Sequence, residues 1–405
     1  MNVRLRNPFC ALAIGLCTAA RADLVGDWNE KVMSAGVQAR QPPYVQARSA
    51  AIVHVAMFEA VNAIEPRYRS YKVLMPASPG ASLEAAVAAA AHVAMTRLYP
   101  DQAQGTDAFY VTSTAAIPEG ASKAEGIRIG EYVAGEIVAI RAADGADAPS
   151  RYRPSTTPGT YVPTAIPVGT SWGSVTPFAL RSPSQFRPRP PYSLESPEWV
   201  RDYNETRRMG GTVGSARTAE QSEVARFWEL PGSPLHNPVL RQLAARAKLD
   251  LLDNARLHAL YAIAVADSNI AVFDAKYTYN FWRPVTAIRN GGIAVGDGDD
   301  TWESFIPTPP HPEFPCAHCI QAGAGAGVLE AFFGDRVAFT LTSSTAPGVT
   351  RTFASLSDFV RESIDARVYG GVHYRTSGEV GAAMGRGIAE FTVRTQLTPL
   401  RRTRP

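Results

Sequence analysis

Three short segments in the C-terminal half of the chain carry residues whose types and spacing could bind and transform an anion. The first is KYTYNFWRP, in which Lys276 and Arg283 lie seven residues apart. Two turns of helix would return both cations to nearly the same face. Four aromatic residues fill the interval between them, which is unusual for a solvated helix face. The segment therefore predicts two cations directed at one site.

The second segment is HPEFPCAHC, residues 311–319, and a run rich in glycine and alanine follows it. Proline and small residues before a helix leave free backbone N–H groups pointing at an anion, and the helix dipole adds a favourable potential. His318 is placed at this opening, where it could move protons, although a histidine packed at a helix start is the simpler alternative. His311 and Glu313 are predicted to position the loop.

The third segment is RVYGGVH, which begins at Arg367 and ends at His373. Its double glycine allows the chain to turn between two helices, so that both side chains can face one pocket from opposite walls. The planar guanidinium donates two parallel hydrogen bonds to an oxyanion, although an arginine near a helix end often pairs with the helix dipole instead. Together the three segments predict a cradle for a tetrahedral oxyanion such as vanadate or phosphate.

The elements that must position these residues are predicted to be helices, because apolar residues recur at spacings of three and four and alternating strand patterns are hard to find. Helical patterns cover 47–64, 82–98, 120–143, 218–229, 238–248 and 253–277. The interval 149–194 is dense in Pro, Gly, Ser and Thr and is predicted to be a long loop. We expect this loop to supply part of the access to the pocket.

Helix ends in the C-terminal half are also marked in the sequence. Gly334 is predicted to end a helix that begins near His318, and the double glycine at 370–371 to end one that begins at Leu356. Thr376, with a glutamate three residues later, is predicted to form a capping box for the last helix.

The first 22 residues differ in composition from the rest of the 405-residue chain. Arg4 and Arg6 precede an apolar stretch, and Ala20-Arg21-Ala22 follows, which is the layout of a cleaved secretory signal. Removal of three arginines and no acidic residue would bring the formal charge from +3 to zero. We therefore expect an exported protein, periplasmic or secreted, with no transmembrane span in the mature chain and no nucleic-acid partner.

Cysteines are too few for a disulfide-stapled scaffold. Of four in the chain, Cys10 and Cys17 lie in the predicted signal and only Cys316 and Cys319 remain. Their Cys-x-x-Cys spacing at a helix start is compatible with a thiol redox site, a metal site or a disulfide, although neither a second ligand pair nor a thioredoxin-like pattern accompanies it.

The order of these motifs resembles that of the vanadium-dependent haloperoxidases and the type 2 phosphatidic acid phosphatases. Both families carry a lysine, six residues and Arg-Pro, then a proline, two small residues and His, then an Arg with a His six positions later. The bacterial haloperoxidase-like branch is similar also in AMFEAVNAI (56–64), DAKYTYNFWRPVTAIR (274–289) and TPPHPEFP (308–315). The resemblance covers an N-terminal helix and 254–390, but not the proline-rich loop.

The resemblance implies an all-α fold, with packed helix bundles of the haloperoxidase/acid phosphatase type and long Pro-rich loops, in a single domain over 23–405. His373 would bind the vanadium of a vanadate cofactor, or form a phosphohistidine in a phosphatase, and His318 would be the acid–base residue. The anion's oxygens would be bound by a further set of residues, which comprises Lys276, Arg283, Cys316, Ala317 and Arg367.

The implied function is oxidation of a halide by hydrogen peroxide. An exported acid phosphatase acting on a phosphate ester, and a catalytically weakened oxyanion-binding protein, stay open as alternatives. Four positions depart from the family pattern, one of which is Ala366 in place of the serine often found before the arginine. Cys316-Ala317 replaces Ser-Gly, which exchanges a hydroxyl donor for a weaker thiol, and Ser377 replaces the Asp of the phosphatases. The sequence thus gives His373 no carboxylate partner at that position.

Overall fold

The computed structural model describes residues 23–230, 232–293 and 295–400, and there it confirms the all-α prediction with thirteen α-helices and a two-stranded sheet. The predicted signal, 1–22, lies outside the described residues. The N-terminal helices are α1 (Leu24–Gln38), α2 (Pro43–Ile64), α3 (Leu83–Leu98), α4 (Ala103–Thr114) and α5 (Ala121–Arg141).

The C-terminal part follows the proline-rich segment. Its helices are α6 (Pro197–Gly210), α7 (Ala219–Phe227), α8 (Ser233–Ala247), α9 (Leu251–Tyr279), α10 (Pro284–Arg289), α11 (Ala317–Phe333), α12 (Leu356–Tyr369) and α13 (Arg375–Thr395). Its strands, β1 (Phe339–Ser343) and β2 (Ala346–Phe353), form an antiparallel hairpin between α11 and α12.

Helix α9 joins two groups of helices. In the first group α3 packs between α2 and α5, and in the second α11 packs on α13, while α9 contacts α2, α11 and α13. Most of α9 is buried because its apolar and small residues occur on every side rather than on one stripe. Of the described helices, α2 is long and apolar enough to cross a membrane, but 89% of its apolar window is buried inside the protein.

Helices α11 and α13 approach each other backbone to backbone. A Cβ atom added at Gly385 would lie 2.1 Å from the carbonyl oxygen of Ile320, and one at Gly323 would lie 2.3 Å from that of Ala382. No side chain fits into such a gap, so glycine at these positions sets the distance between the helices. This contact fixes the start of α11, where His318 lies.

Several elements differ from the sequence prediction, which does not include α1, α4, α6 or α10. The β1–β2 hairpin was not predicted, although Phe339–Ser343 alternates between buried and exposed residues, which is the period of a strand with one face on the core. Helix α8 begins at Ser233 rather than at Pro238, which lies inside the helix. The first-turn position that proline favours is taken by Pro234 instead.

The capping box predicted at Thr376 is wrong. Helix α13 begins at Arg375, its N-cap residue is Tyr374, and no side chain of that residue caps it. Carboxylates from other segments accept the first N–H groups, because Thr376 N donates to Asp202 Oδ2 at 3.1 Å and Tyr374 N donates to Glu313 Oε1 at 3.1 Å. The helix start is therefore held by tertiary contacts.

The proline-rich segment 149–194 wraps around the C-terminal half of α9. The buried carboxylate of Asp267 accepts three backbone N–H groups from residues 178–180 at 2.7 to 2.9 Å. The Tyr277 hydroxyl donates to the carbonyl of Val168 at 2.6 Å. These contacts hold the segment over the end of the helix that carries Lys276.

Candidate oxyanion site

Lys276 and Arg283 lie close together, but not for the reason the spacing suggested. Helix α9 ends at Tyr279, Asn280 adopts a left-handed conformation with φ of 48°, and Arg283 is the N-cap residue of α10. The two cations are thus on different helices, and the prediction of one shared helical face is wrong. They are near enough that the charge of Arg283 lowers the pKa of Lys276, after the larger effect of burial.

Arg283 is the most extensively bonded cation of the site. Its Nε donates to the His311 carbonyl at 2.9 Å and one terminal nitrogen donates to the Val372 carbonyl at 2.7 Å. The same terminal nitrogen lies 3.1 Å from His373 Nε2, and the other lies 3.0 Å from His311 Nδ1. One guanidinium therefore joins the loop before α11 to the turn before α13.

His373 is placed by the turn between α12 and α13. Gly371 adopts φ of +72°, a left-handed conformation that glycine takes at little cost, and the chain reverses there. The predicted role of the double glycine as the end of α12 is confirmed. The His373 side chain is 1% exposed, so its ring nitrogens depend on protein partners.

Glu313 is the partner that fixes the tautomer of His373. Its Oε1 lies 2.7 Å from His373 Nδ1. Because the Arg283 guanidinium beside Nε2 can only donate, Nε2 accepts and Nδ1 carries the proton. The lone pair then resides on Nε2, which faces the guanidinium of Arg283. Ser377 Oγ is 3.5 Å from Nδ1, so the carboxylate that the local sequence does not supply comes from the loop before α11.

The position of Glu313 inside the protein changes its acidity. Burial raises the pKa of its carboxyl to about 7, and the charges of Arg283 and Lys276 oppose that rise. The pKa of His373 is lowered well below its ordinary value, first by burial and then by the neighbouring cations. The imidazole is accordingly neutral at neutral pH, with an electron pair available on Nε2.

Lys276 holds the same loop from the other side. Its Nζ donates to the carbonyls of Pro312 at 2.7 Å and Glu313 at 2.8 Å, and the side chain is fully buried. An ammonium group has three donors, so one remains after these two bonds. Lys276 thus positions the Glu313 backbone and retains a donor for an anion.

Arg367 and His318 carry polar atoms without partners. The Arg367 guanidinium donates to the Trp228 carbonyl at 3.1 Å, whereas its Nε has no hydrogen-bond partner among the described residues. His318 Nε2 likewise has none in that part of the chain. Both side chains line one cavity of about 300 Å³. Buried donors of this kind indicate a place for a guest with acceptor atoms.

Cys316 does not offer the thiol donor that the sequence suggested. It forms a disulfide with Cys319, and its Sγ accepts the backbone N–H of Cys319 at 3.1 Å as the N-cap of α11. Ala317, the first residue of α11, lines the cavity. A first-turn N–H has no partner within its own helix, so Ala317 retains the predicted backbone donor.

Positive charge exceeds negative charge at this site. The side chains of Lys276, Arg283 and Arg367 are at most 2% exposed. The Glu313 carboxylate lies among them, where it contacts His373, and the Glu313 carbonyl accepts from Lys276. Burial lowers the pKa of Arg283 to about 10 and that of Arg367 to about 9. Cations that are desolvated without enough counter-charge are stabilised by an anion, and the attraction is strong away from water.

The pKa of His318 responds to the same charges. Burial lowers it well below the ordinary value, and the charge of Arg367 lowers it further. An anion bound among the cations would oppose the lowering caused by Arg367 and so raise the pKa of His318. The arrangement can therefore bind an oxyanion and provide one proton-carrying imidazole beside it.

All of the predicted site residues are found in one region, but three contributions were not predicted. Glu313 was expected only to position the loop, yet it pairs directly with His373. The Thr206 hydroxyl donates to the His373 carbonyl at 3.2 Å, and the Trp228 carbonyl holds Arg367. No local pattern signals these partners, because they come from residues distant in sequence.

The remaining described histidines were predicted to be structural, and their placement agrees. His54, His236 and His258 are buried among helices, whereas His92 pairs with Asp107 at 2.6 Å on the surface. His258 Nδ1 lies 3.0 Å from the Asn254 carbonyl of its own helix. None of the four lines the cavity beside His318.

Comparisons with known proteins show what this chain is similar to. Residues 256–401 match the family model of the VCPO second helical-bundle domain. Vanadium chloroperoxidase of Curvularia inaequalis is 25% identical over 193 residues, which are 40% of this chain and 31% of that protein. The chain thus spans about a third of the length of that relative.

Solved structures extend the similarity to most of the chain. The crystal structure of the first bacterial vanadium-dependent iodoperoxidase is 25% identical, with a TM-score of 0.80 over 93% of this chain and 97% of that one. An apo-type bacterial vanadium-dependent chloroperoxidase, 18% identical, has a TM-score of 0.71 over 86% and 92% of the two chains and shares the fold. These findings confirm the resemblance to the vanadium-dependent haloperoxidases that the sequence motifs indicate, and they assign residues 256–401 to a helical bundle of that family's second-domain type.

Proposed function

We propose that the protein is a vanadium-dependent haloperoxidase, which oxidises a halide with hydrogen peroxide. The observation that carries this proposal is the neutral His373, whose Nε2 lone pair faces a cluster of buried cations. An electron pair on nitrogen suits a metal centre, and the cations suit the oxygens of an oxyanion. The donor set therefore fits vanadate.

The residues that would hold vanadate follow from their positions. His373 Nε2 would be the vanadium ligand, and Lys276, Arg283 and Arg367 would bind the oxygens together with the N–H of Ala317. Bound vanadate would supply the Lewis-acidic centre that activates hydrogen peroxide for halide oxidation. Arg283 now donates toward Nε2, so this guanidinium would turn its N–H toward the oxygens of the cofactor.

His318 would hold and release the proton that peroxide chemistry requires. Its side chain lies on the cavity wall beside Arg367, and its Nε2 has no partner in the described part of the chain. Negative charge in the cradle raises its pKa, so the imidazole can take a proton when the site is filled. Glu313 holds the proton on His373 Nδ1 and thereby keeps Nε2 available.

A histidine-dependent phosphatase is the second candidate, and the His373–Glu313 contact favours it specifically. A carboxylate at 2.7 Å from Nδ1 is the orientation that a nucleophilic imidazole needs. In that reaction Nε2 would form a bond to phosphorus, the ester P–O bond would break, and His318 would give its proton to the leaving oxygen. A protein that only binds oxyanions is the third candidate.

One set of assays separates the three candidates. The purified protein, with and without vanadate, is given hydrogen peroxide and iodide, and triiodide is followed by absorbance. In parallel, the protein without vanadate is given a chromogenic phosphate monoester. Oxidation that depends on vanadate supports the haloperoxidase, while hydrolysis that vanadate inhibits supports the phosphatase. If neither reaction occurs and phosphate still raises the Tm, the binding-only function is supported.

We also propose that the protein is exported after cleavage of 1–22 and that 23–405 acts as one domain. Mass spectrometry of the mature N-terminus from the native host tests the first point. An N-terminus at Asp23 is expected, and an intact Met1 would contradict export by this signal.

A further inference from the structure

His236 is a buried histidine that the oxyanion site, as described so far, does not use. It lies in the first turn of α8 and is 2% exposed, and neither of its ring nitrogens has a hydrogen-bond partner among the described residues. Burial lowers its pKa to about 4, so the ring is neutral at neutral pH. A neutral imidazole has one N–H donor and one lone pair, and leaving either unmatched inside a protein costs about 1–3 kcal/mol. A polar partner is therefore expected for this ring.

The first turn of α8 lies against the first turn of α11, which carries His318. A Cβ added at Gly232, the N-cap residue of α8, would lie 2.7 Å from Gln321 Oε1 on α11. His236 N donates to the Gly232 carbonyl at 3.3 Å, so His236 follows one turn later. A charge on His236 would lower the pKa of His318, after the larger effects of burial and Arg367. The two imidazoles are therefore neighbours.

Two aromatic rings hold His236 in this place. Its ring centroid lies 6.0 Å from that of Trp228 and 5.4 Å from that of Phe359, and the planes of both pairs are steeply inclined. The Trp228 carbonyl also accepts from the Arg367 guanidinium at 3.1 Å. One tryptophan thus contacts both His236 and a cation of the oxyanion site, and it fixes where each of them lies.

Buried polar atoms without partners gather between α8, α11 and α12. In the part of the chain that the structure describes, they are both ring nitrogens of His236, His318 Nε2, Arg367 Nε and Gln321 Oε1. Buried polar groups in proteins are almost always hydrogen-bonded, to the protein or to ordered water. A buried water molecule makes about three hydrogen bonds to groups of this kind. The cluster therefore has the donors and acceptors that a bridging water needs.

We propose that His236 is a positioning residue for His318, to which it is connected through one buried water molecule. The water accepts a hydrogen bond from His318 Nε2 and donates one to the lone pair of His236. An imidazolium donates from both nitrogens, so this contact stabilises the protonated form of His318 and raises its pKa. His236 stays neutral and gives up no proton. The effect on turnover rests on the proposed function, whereas the contact itself does not.

Other titratable groups also face His318 from the elements packed around it. They are Arg367, Arg283, Lys276, His311 and Glu229. Burial lowers the pKa of His318 first, and the cations lower it further. All of these groups are present in each variant proposed below, so a difference between the variants reports the contribution of His236 alone.

The contact is tested first on the full unsubstituted chain, without vanadate. A crystal structure at a resolution that shows ordered water should place one water within about 3.2 Å of both His318 Nε2 and a nitrogen of His236. Apolar packing between the two rings, or a water bound to only one of them, overturns the proposal.

The effect on His318 is tested second, by NMR titration of the histidine-labelled protein with sulfate bound. Sulfate is chosen because its charge is constant over the titration, and the His318 signal is assigned by its loss in His318→Gln. His236→Phe keeps a ring but removes both nitrogens, so the pKa of His318 should fall by about one unit, which is a tenfold change. His236→Gln retains an acceptor and should restore most of the pKa.

His258→Gln is the matched control, because His258 is an equally buried histidine that lies outside the site. It should leave the pKa of His318 unchanged. The proposal is overturned by an equal pKa in His236→Phe and the unsubstituted protein, or by an equal fall in the control. A His318 that stays neutral throughout the titration also overturns it.

Turnover is tested third, with vanadate, peroxide and iodide. Because His318 acts in its protonated form, the fall in kcat at high pH should move about one unit lower in His236→Phe and stay in place in His258→Gln. An unmoved profile in His236→Phe overturns the role in turnover. A lack of triiodide from the unsubstituted protein would instead contradict the proposed function, while the crystal structure and the NMR titration would still decide the contact.

Discussion

Two regions of the molecule place histidine and arginine between helices, and they differ in how their charge is balanced. In the first, which we call the core amide network, Asn29 lies 2.9 Å from His54 Nε2 and donates to Asn237 Oδ1 at 2.8 Å. Arg241 donates to Asn29 Oδ1 at 2.9 Å, and nearby acidic side chains oppose the fall in its pKa that burial causes. Amide groups match most of its polar atoms, although His54 Nδ1 has no partner among the described residues.

In the oxyanion site the balance is different. Three buried basic side chains outnumber the two nearby carboxylates, Glu313 and Glu229, and nitrogen atoms of Arg367 and His318 lack partners in the described chain. Burial of a histidine therefore does not by itself mark a functional site. Positive charge without enough counter-charge, beside a cavity, is the feature that does.

The largest expected difference between the two regions is in activity. His373→Ala removes the Nε2 electron pair and should lower halide oxidation or ester hydrolysis by about 10³-fold or more. The matched variant His54→Gln alters the core amide network and should lower the free energy of unfolding by about 1–3 kcal/mol without a comparable loss of activity. Steady-state rates and urea unfolding measure the two effects. Comparable rate losses in both variants would show that His373 matters no more for activity than His54 does.

A second difference is expected in anion affinity. Arg367→Gln removes a buried cation from the site and should weaken binding of phosphate or vanadate by about 2–4 kcal/mol. Arg241→Gln removes a cation from the core amide network and should leave this affinity unchanged. Calorimetric titration of each anion measures the Kd. Equal affinity in Arg367→Gln and the unsubstituted protein would remove this arginine from the site.

The third and smallest effect is a pH dependence of stability. The pKa of Glu313 is raised by burial from 4.5 to about 7, so its contribution to stability is fully present below pH 4.5 and is lost as the pH rises through about 7. The total change is at most about 3 kcal/mol. Glu313→Gln should flatten this part of the stability curve, because the amide does not titrate. Urea unfolding between these pH values measures it, and an unchanged slope in the variant would assign the effect to another group.

Much of the site could be predicted from the sequence because each cation and histidine lies in a short motif. Two of the cations come together for a different reason from the one that their spacing suggests. Lys276 and Arg283 were placed on one helix face, but a left-handed Asn280 ends the helix between them. Local periodicity cannot show where a helix stops when the residue that stops it is neither glycine nor proline.

Contacts between distant segments could not be predicted in the same way. Glu313 pairs with His373 and accepts the N–H of Tyr374 across a separation of 60 residues or more, and the Asp202 carboxylate replaces the capping box expected at Thr376. A sequence shows which side chains can accept a proton, but not which distant segment the fold brings to them. The helix-bundle class was easier to predict from the sequence, because it depends on periodicity within each segment.

The glycine contact between α11 and α13 has a consequence for how the site meets its guest. A Cβ at Gly385 would stand 2.1 Å from the carbonyl oxygen of Ile320, so the two helices are in close backbone contact, and this contact opposes sliding of one along the other. The first turn of α11 and the imidazole it carries are consequently preorganised during folding. Ligand capture then resembles lock-and-key association, in which little conformational entropy remains to be lost.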